Sequence, residues 1–264
     1  MIIVSWNCRG LGNTSAIRDL RVLVQSASPD CIILQETKIA TEPLHVRLFN
    51  LGFQNLVHVP PVGLAGGLGI AWSDNVELEP IVVRKNVISC LVFPSQNSPP
   101  WLLSRIYGPC YRAAKVEFWE SFSTTTSRFN GAWLVLGDFN GILLRSERGI
   151  NSTSVAMRDT LDNIGMIDIP SSRSKFSFCN NRLAFDVAWS KLDRGMANSQ
   201  WWDIFPRVSL RILLANSSDH CPLVLNTNGE DGFLKRMFHF EPMSVENPRS
   251  HLVVHHSWLS RHHH

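Results

Sequence analysis

The sequence predicts an α/β fold in which helices pack outside a pair of stacked sheets. Two continuous apolar runs carry that expectation, CIILQET at 31–37 and AWLVLGDFN at 132–140. Unbroken apolar character over so few residues marks strands buried on both faces, and helical patterns flank both runs. Between them lie short apolar segments broken by turn residues, which add further strands. The chain's 264 residues, 44% hydrophobic and 18% charged, suffice for one large domain or two small ones.

In order, residues 1–7 form a strand built on Ile2, Ile3 and Val4. Residues 14–27 form a helix, with Asn13 or Thr14 as cap and Ile17, Leu20, Leu23 and Val24 on one face. The strand at 31–37 follows, then a helix over 43–51. The middle contributes strands at 54–59, 68–73, 78–84, 87–93 and 101–107. Gly66-Gly67 reads as a tight turn between two of them. It makes a poor phosphate loop, because no Gly-Lys-Ser/Thr follows. A helix over 113–128 leads into the strand at 132–140 and a helix near 154–164. Strands at 175–179, 185–189, 207–214 and 222–226 complete a domain over 1–228. From 229 the pattern weakens into a C-terminal tail or linker, and His262-His263-His264 reads as a tag remnant.

The N-terminus carries no basic stretch, and its apolar run is too short for a secretory signal. No apolar stretch approaches the length of a membrane span. A soluble, intracellular protein is expected. Cys8, Cys31, Cys90, Cys110, Cys179 and Cys221 include no CxxC pair and read as reduced, buried thiols. A net charge of +3 is too small to argue for nucleic acid alone. Its distribution says more, because residues 173–211 hold seven Lys and Arg against three Asp. That segment, with Arg182 and Arg194 in it, suits a solvated face and a phosphate-binding surface equally.

Polar residues recur where predicted strands end or begin. Asn7, Glu36, Tyr107, Asp138 and Asn140 follow apolar runs, Asp193 lies in WSKLDR, and Asp219-His220 precede the last strand. Singly, each reads as a turn, capping or core-edge residue. If the ends converge, Glu36, Asp138, Asp193 and Asp219 meet. Two like charges at about 4 Å repel by roughly 4 kcal/mol at an effective dielectric of 20. A fold with a net stability of only ~5–15 kcal/mol needs compensation for several such pairs. A divalent cation supplies it, and oxygen ligands without a Cys/His cluster suit Mg²⁺ or Mn²⁺ rather than zinc.

The motifs WN (6–7), QET (35–37), YGP (107–109), GDFN (137–140), LDR (192–194) and SDH (218–220) occur in this order. Together they resemble the endonuclease/exonuclease/phosphatase superfamily, which includes DNase I and exonuclease III-type apurinic endonucleases. The fuller wording of WNCRGLGN, ETK, GDFN, KLDR and SDHCPL is similar to the N-terminal endonuclease domain of plant LINE-type, non-LTR retrotransposons. The likeness covers about residues 1–226. It implies a four-layered α/β sandwich, two mostly antiparallel mixed sheets flanked by helices, and Mg²⁺-dependent hydrolysis of a phosphodiester, with Mn²⁺ as substitute. By motif, Glu36 would hold the metal, with Asn7 beside it and Asp219 in support. Asp138 would orient or deprotonate the attacking water. Asn140 and Tyr107 would bond the scissile phosphate, and His220, oriented by Asp193, would stabilise its developing charge. Ser177 matches a phosphate-touching hydroxyl, and Arg182 and Arg194 join it as substrate-binding candidates.

Two positions depart from the family's pattern. Phe178 stands where tryptophan is usual, and Gly141 where plant relatives often carry an acidic residue. The implied partner is DNA, nicked by a monomeric domain to leave a 3′-hydroxyl, inside the cell and in the nucleus. The reverse transcriptase of such retroelement proteins is not expected within these residues. Two other functions fit the same motifs: a phosphoesterase acting on RNA or a small phosphoester, and a decayed copy that only binds DNA.

Overall fold

Strands of the two predicted sheets and the helices covering them alternate along the chain. This computed structural model describes residues 1–63, 66–94, 99–126, 129–147, 154–180, 187–214 and 216–229. Their elements begin with β1 (Ile2–Asn7), α1 (Thr14–Ala27), β2 (Cys31–Gln35), α2 (Thr41–Phe49), β3 (Asn55–Val59) and β4 (Leu68–Trp72). Then come β5 (Glu77–Arg84), β6 (Val87–Phe93), β7 (Trp101–Tyr107), α3 (Arg112–Thr126), β8 (Trp133–Asp138) and α4 (Val155–Asn163). Last are β9 (Ile167–Asp168), β10 (Ser171–Ser172), β11 (Phe178–Cys179), β12 (Trp189–Ser190), β13 (Asp193–Ala197), α5 (Ser199–Ile204), β14 (Ser209–Ile212) and β15 (Leu223–Asn226). No helix among the described residues is long and apolar enough to cross a membrane.

One sheet has seven strands in the order β10-β14-β15-β1-β2-β4-β3, and the other has six in the order β5-β6-β7-β8-β13-β9. β11 and β12 form a separate short ribbon. Each large sheet is built on a parallel pair joined by a helix, β1-α1-β2 and β7-α3-β8. Antiparallel strands extend both pairs outward.

Three apolar layers hold this arrangement. Ile3, Ile33 and Ile70 of the first sheet meet Ile88, Leu103, Leu134 and Leu136 of the second. Leu20 and Leu23 of α1 and Leu44 and Leu48 of α2 cover the outer face of the first sheet through Val4, Trp6 and Ile32. Trp119 and Phe122 of α3, with Met157 and Leu161 of α4, cover the second through Ile106 and Val135. Helix, sheet, sheet and helix make the expected four layers.

Local signals explain the element ends. Asn13 caps α1 by accepting the Ser15 N–H at 2.9 Å, so of the two candidates Asn13 takes the role. The apolar run at 31–37 stops pairing at Gln35, because Glu36 and Lys38 take φ values of 51° and 53°. The run at 132–140 likewise ends at Asp138, with Asn140 at φ 47°. The predicted strand at 175–179 shrinks to two residues; of 185–189, residues 185 and 186 lie outside the described residues and only Trp189 is in a strand, β12. β13 and α5 occupy a stretch with no predicted element. Residues 230–264, nearly all of the predicted tail, lie outside the described residues. The cysteine expectation needs correction: Cys8, Cys31 and Cys90 are buried, but Cys110 is exposed and Cys179 and Cys221 are half-buried.

Candidate active site

The strand ends converge because of how the strands run. β1, β2, β7 and β8 all point the same way and deliver Asn7, Glu36, Tyr107 and Asp138 from their C-terminal ends. β13 is antiparallel to β8, and β15 to β1, so Asp193 and the 218–220 loop reach the same edge from N-terminal ends. Register sharpens this: Asn7 lies beside Gln35, and Asp138 lies between Tyr107 and Asp193. Two motif glycines are demanded by close approach. A Cβ on Gly137, at φ 144°, would sit 2.1 Å from the Ile106 carbonyl oxygen, and one on Gly108 would sit 2.2 Å from that of Phe139. Only glycine fits either place.

Asn7 is fully buried, and its amide joins the two sheets. Its Nδ2 donates to Glu36 Oε1 and to Asp138 Oδ2, each at 3.1 Å. The Tyr107 hydroxyl donates to the same Glu36 Oε1 at 2.9 Å, and Lys38 Nζ lies 3.0 Å from Oε2. Arg9 Nε lies 2.8 Å from Asp219 Oδ1. His220 Nδ1 is 2.8 Å from Asp193 Oδ2, while its Nε2 faces Asp138 Oδ2 at 3.8 Å and Asp219 Oδ1 at 4.0 Å. Asn140 donates its backbone N–H to Asp138 Oδ1 and its side-chain Nδ2–H to the Gly108 carbonyl, both at 2.8 Å.

Behind these groups, the Trp6 indole donates to the His220 carbonyl at 3.1 Å. The Ser218 hydroxyl donates to the Asn7 carbonyl at 2.8 Å and accepts the His220 N–H at 3.1 Å. The Phe178 ring rests against the His220 imidazole, 4.9 Å between centroids.

Residues 4–220 match the Endonuclease/Exonuclease/phosphatase family. The chain belongs to that family. No curated protein matches the sequence. Among solved structures, the endonuclease domain of TRAS1, a telomere-specific non-LTR retrotransposon, is similar with a TM-score of 0.64 at 12% identity, covering 85% of this chain and 97% of that one. A 3′-5′ exonuclease from Neisseria meningitidis gives 0.63 at 18% identity, covering 86% and 99%. An AP endonuclease from Archaeoglobus fulgidus gives 0.65 at 16% identity, covering 86% and 98%. At these identities the likeness establishes the fold. Family membership makes the chain a metal-dependent hydrolase of phosphoesters.

The electrostatics of this Exo/endo/phosphatase site follow from its contacts. Burial pushes the Glu36 carboxyl up, but hydrogen bonds from Asn7, Lys38 and Tyr107 outweigh it and hold the group below its ordinary 4.5. Burial of His220 favours the neutral ring, yet Asp193 and Asp138 beside it win and raise it to about 9. Asp138 moves upward, because burial and the nearby Asp193 oppose its charge more than His220 supports it. Glu36 is therefore an anion and His220 a cation at neutral pH.

The donor set fits the divalent ion that the family implies. Asp138, Asp193 and His220 each bring a ligand atom within 4.8 Å of the others. That trio makes a poor cage, because a protonated imidazole has no lone pair to give and His220 Nδ1 is committed to Asp193. Glu36 is the better holder. Its carboxylate is 12% exposed, already draws Lys38 and Arg9, and offers only oxygen, which suits a hard cation.

Two substrate-binding expectations change. Arg194 has no exposed side chain; it is 2.9 Å from Glu147 Oε2 and 3.4 Å from Asp168 Oδ1, so it braces the interior instead of meeting substrate. Ser177 is also fully buried, and its hydroxyl accepts the N–H groups of Leu192 and Asp193 at 3.0 and 2.8 Å. It therefore positions Asp193 from behind. Arg182 lies outside the described residues. Arg9, Lys38 and Ser218 belong to the site without having been singled out. All three lie inside the quoted motifs, beside Asn7, Glu36 and Asp219, and adjacency was the available signal.

Proposed function

We propose that the chain is a DNA endonuclease that uses Mg²⁺, or Mn²⁺ in its place, to nick a strand and leave 3′-hydroxyl and 5′-phosphate ends. The observation carrying this reading is the Asn7 amide tying Glu36 to Asp138 opposite a protonated, aspartate-backed His220. That arrangement holds anionic and cationic groups a few ångströms apart on a rigid double sheet, as phosphodiester hydrolysis requires. DNA is favoured by the LINE-like wording of the motifs and by the retrotransposon endonuclease among the similar structures. This reading implies a monomeric domain working on nuclear DNA, with residues 1–228 as the unit that folds.

Glu36, steadied by Asn7 and Tyr107, would hold the ion, with Asp219 close by. The ion would supply Lewis acidity toward a phosphoryl oxygen. Asp138 would accept the proton of the attacking water. Its upward shift makes it a stronger base than a free aspartate, and Asn7 and the Asn140 N–H fix its two oxygens. Asn140 keeps one amide proton free of the Gly108 carbonyl to donate to phosphate. The Tyr107 hydroxyl lies beside it at the same strand edge. His220 Nε2–H would donate to the developing charge while Asp193 holds Nδ1.

Nicking of supercoiled plasmid in Mg²⁺ tests this reading. Relaxed circles are expected from the wild type, and neither from an EDTA control nor from Glu36→Ala/His220→Ala. A folded wild type that leaves the plasmid supercoiled would overturn the DNA reading and redirect the search to RNA or small phosphoesters.

A further inference from the structure

Arg105 is a buried cation near the site that the proposed chemistry does not use. It lies on β7 two residues before Tyr107 and is fully buried. Leu103 and Tyr107 belong to the inter-sheet layer, and the strand's period of two puts Arg105 on that face with them. None of Nε, Nη1 and Nη2 has a hydrogen-bond partner. In the same layer, Gln35 Nε2 donates weakly to Ser5 Oγ at 3.4 Å, and Gln35 Oε1 is likewise unpartnered. The guanidinium carbon sits 6.0 Å from the Tyr107 ring centroid, under the ring whose hydroxyl holds Glu36.

A buried guanidinium without partners is costly, and a leucine or methionine would fill the space more cheaply. Burial pulls Arg105 down to about 9, with the negative charge of Asp138 foremost among the influences opposing it. The group thus remains charged at neutral pH, and carboxylate charge above it is what sustains it.

We propose that Arg105 is a positioning residue, a fixed counter-cation beneath the carboxylate cluster that loosens the site's hold on a divalent ion and strengthens its hold on phosphate. From above, Lys38 and Arg9 neutralise Glu36 and Asp219 but are partly exposed, so water and salt weaken their effect. Arg105 acts through the dry interior, where screening is slight. Its field opposes a second cation at Glu36 and attracts an incoming anion. An arginine that served only as packing would have neither effect.

The metal half of this inference rests on the proposed function; the electrostatic coupling of Arg105 to Asp138 does not. The test uses the full chain with Arg105→Met and Arg105→Lys. Calorimetric Mg²⁺ titration without DNA should show Arg105→Met binding roughly three- to tenfold more tightly than wild type. Arg105→Lys should stay near wild type, and in plasmid nicking the Met variant should raise KM for DNA severalfold. Unchanged or weaker Mg²⁺ binding by Arg105→Met would overturn the proposal. Thermal unfolding in EDTA of wild type, Arg105→Met, Asp138→Asn and the double variant gives a second reading. Non-additive midpoints, or a double variant that regains a transition lost in Arg105→Met, support the coupling. Additive midpoints, or a double variant as unfolded as the single, refute it. A wild type that binds no Mg²⁺ would count against the functional reading, and the unfolding cycle would then decide on Arg105 by itself.

Discussion

His220 is more basic than a free histidine although burial works in the other direction. Asp193 is the first of the groups that reverse the effect. Ser177, through two accepted N–H bonds, fixes the backbone from which Asp193 reaches the ring. If His220 acts as a cation, Asp193→Asn removes the charge that keeps it protonated. Its pKa then falls, and the alkaline limb of cleavage should move from about 9 toward neutrality. Cleavage at slightly alkaline pH should drop on the order of 100-fold, the usual scale for losing a positioned acid or base. A pH–rate profile measures both effects; an unmoved alkaline limb would remove His220 from the role.

At the scale of elements, β13 is the strand whose existence depends most on tertiary partners. Asp193 and Gly195 are poor strand formers, yet with Arg194 they lie buried against β8, while Met196 and Ala197 of the same strand also pair with β9. Arg194 is held by Glu147, Asp168 and the Lys191 carbonyl, and Glu147 in turn accepts the N–H groups of Leu143 and Leu144. The strand is thereby tied to the loop that follows Asn140. Arg194→Met should cost about 3–5 kcal/mol in urea unfolding, because it strands a buried carboxylate. The pH dependence has a definite sign. Burial pushes the Glu147 carboxyl up, but Arg194 and the two N–H groups outweigh it and hold it below 4.5. A carboxyl depressed on folding adds stability above its unfolded value and loses it as pH falls through its folded value. The gap between wild type and Arg194→Met should therefore narrow as pH drops below about 4.5. A gap that stays constant there would mean that the ion pair carries little of it. This dependence on partners is also why the sequence left β13 unread. β2 and β8 were legible because apolar runs buried on both faces need no partner to be recognised. A strand that hides an ion-pair network carries no periodic signal. Arg194 and Ser177 were assigned to substrate for the same reason, since type and motif position do not reveal which way a side chain is buried. Arg105, a lone charge in LLSRIY, was equally silent.

On the scale of the whole molecule, the site draws on residues from Asn7 to His220 and so exists only when both sheets are complete. β15 closes the first sheet by pairing with β1 on one side and β14 on the other. The chain's first residue is tied to that closure: the Met1 ammonium donates to Thr227 Oγ1 at 2.9 Å, and the Thr227 N–H to the Met1 carbonyl at 3.0 Å. Such pairing between distant segments delays folding until the last strand is available. It also explains why the ordered motifs were the best guide to the site: their spacing along the chain says little, but each stands at a strand end on one edge of the double sheet. If residues 1–228 are the folding unit, a chain ended at Gly229 should unfold cooperatively with a midpoint close to that of the full chain. A chain ended at Cys221 keeps every proposed catalytic side chain but lacks β15, leaving β1 and β14 without their shared partner. It should lose the cooperative transition and, with it, plasmid nicking. Circular dichroism melts of the two truncations decide this, and a cooperative melt from the shorter chain would show that the sheet does not need its last strand.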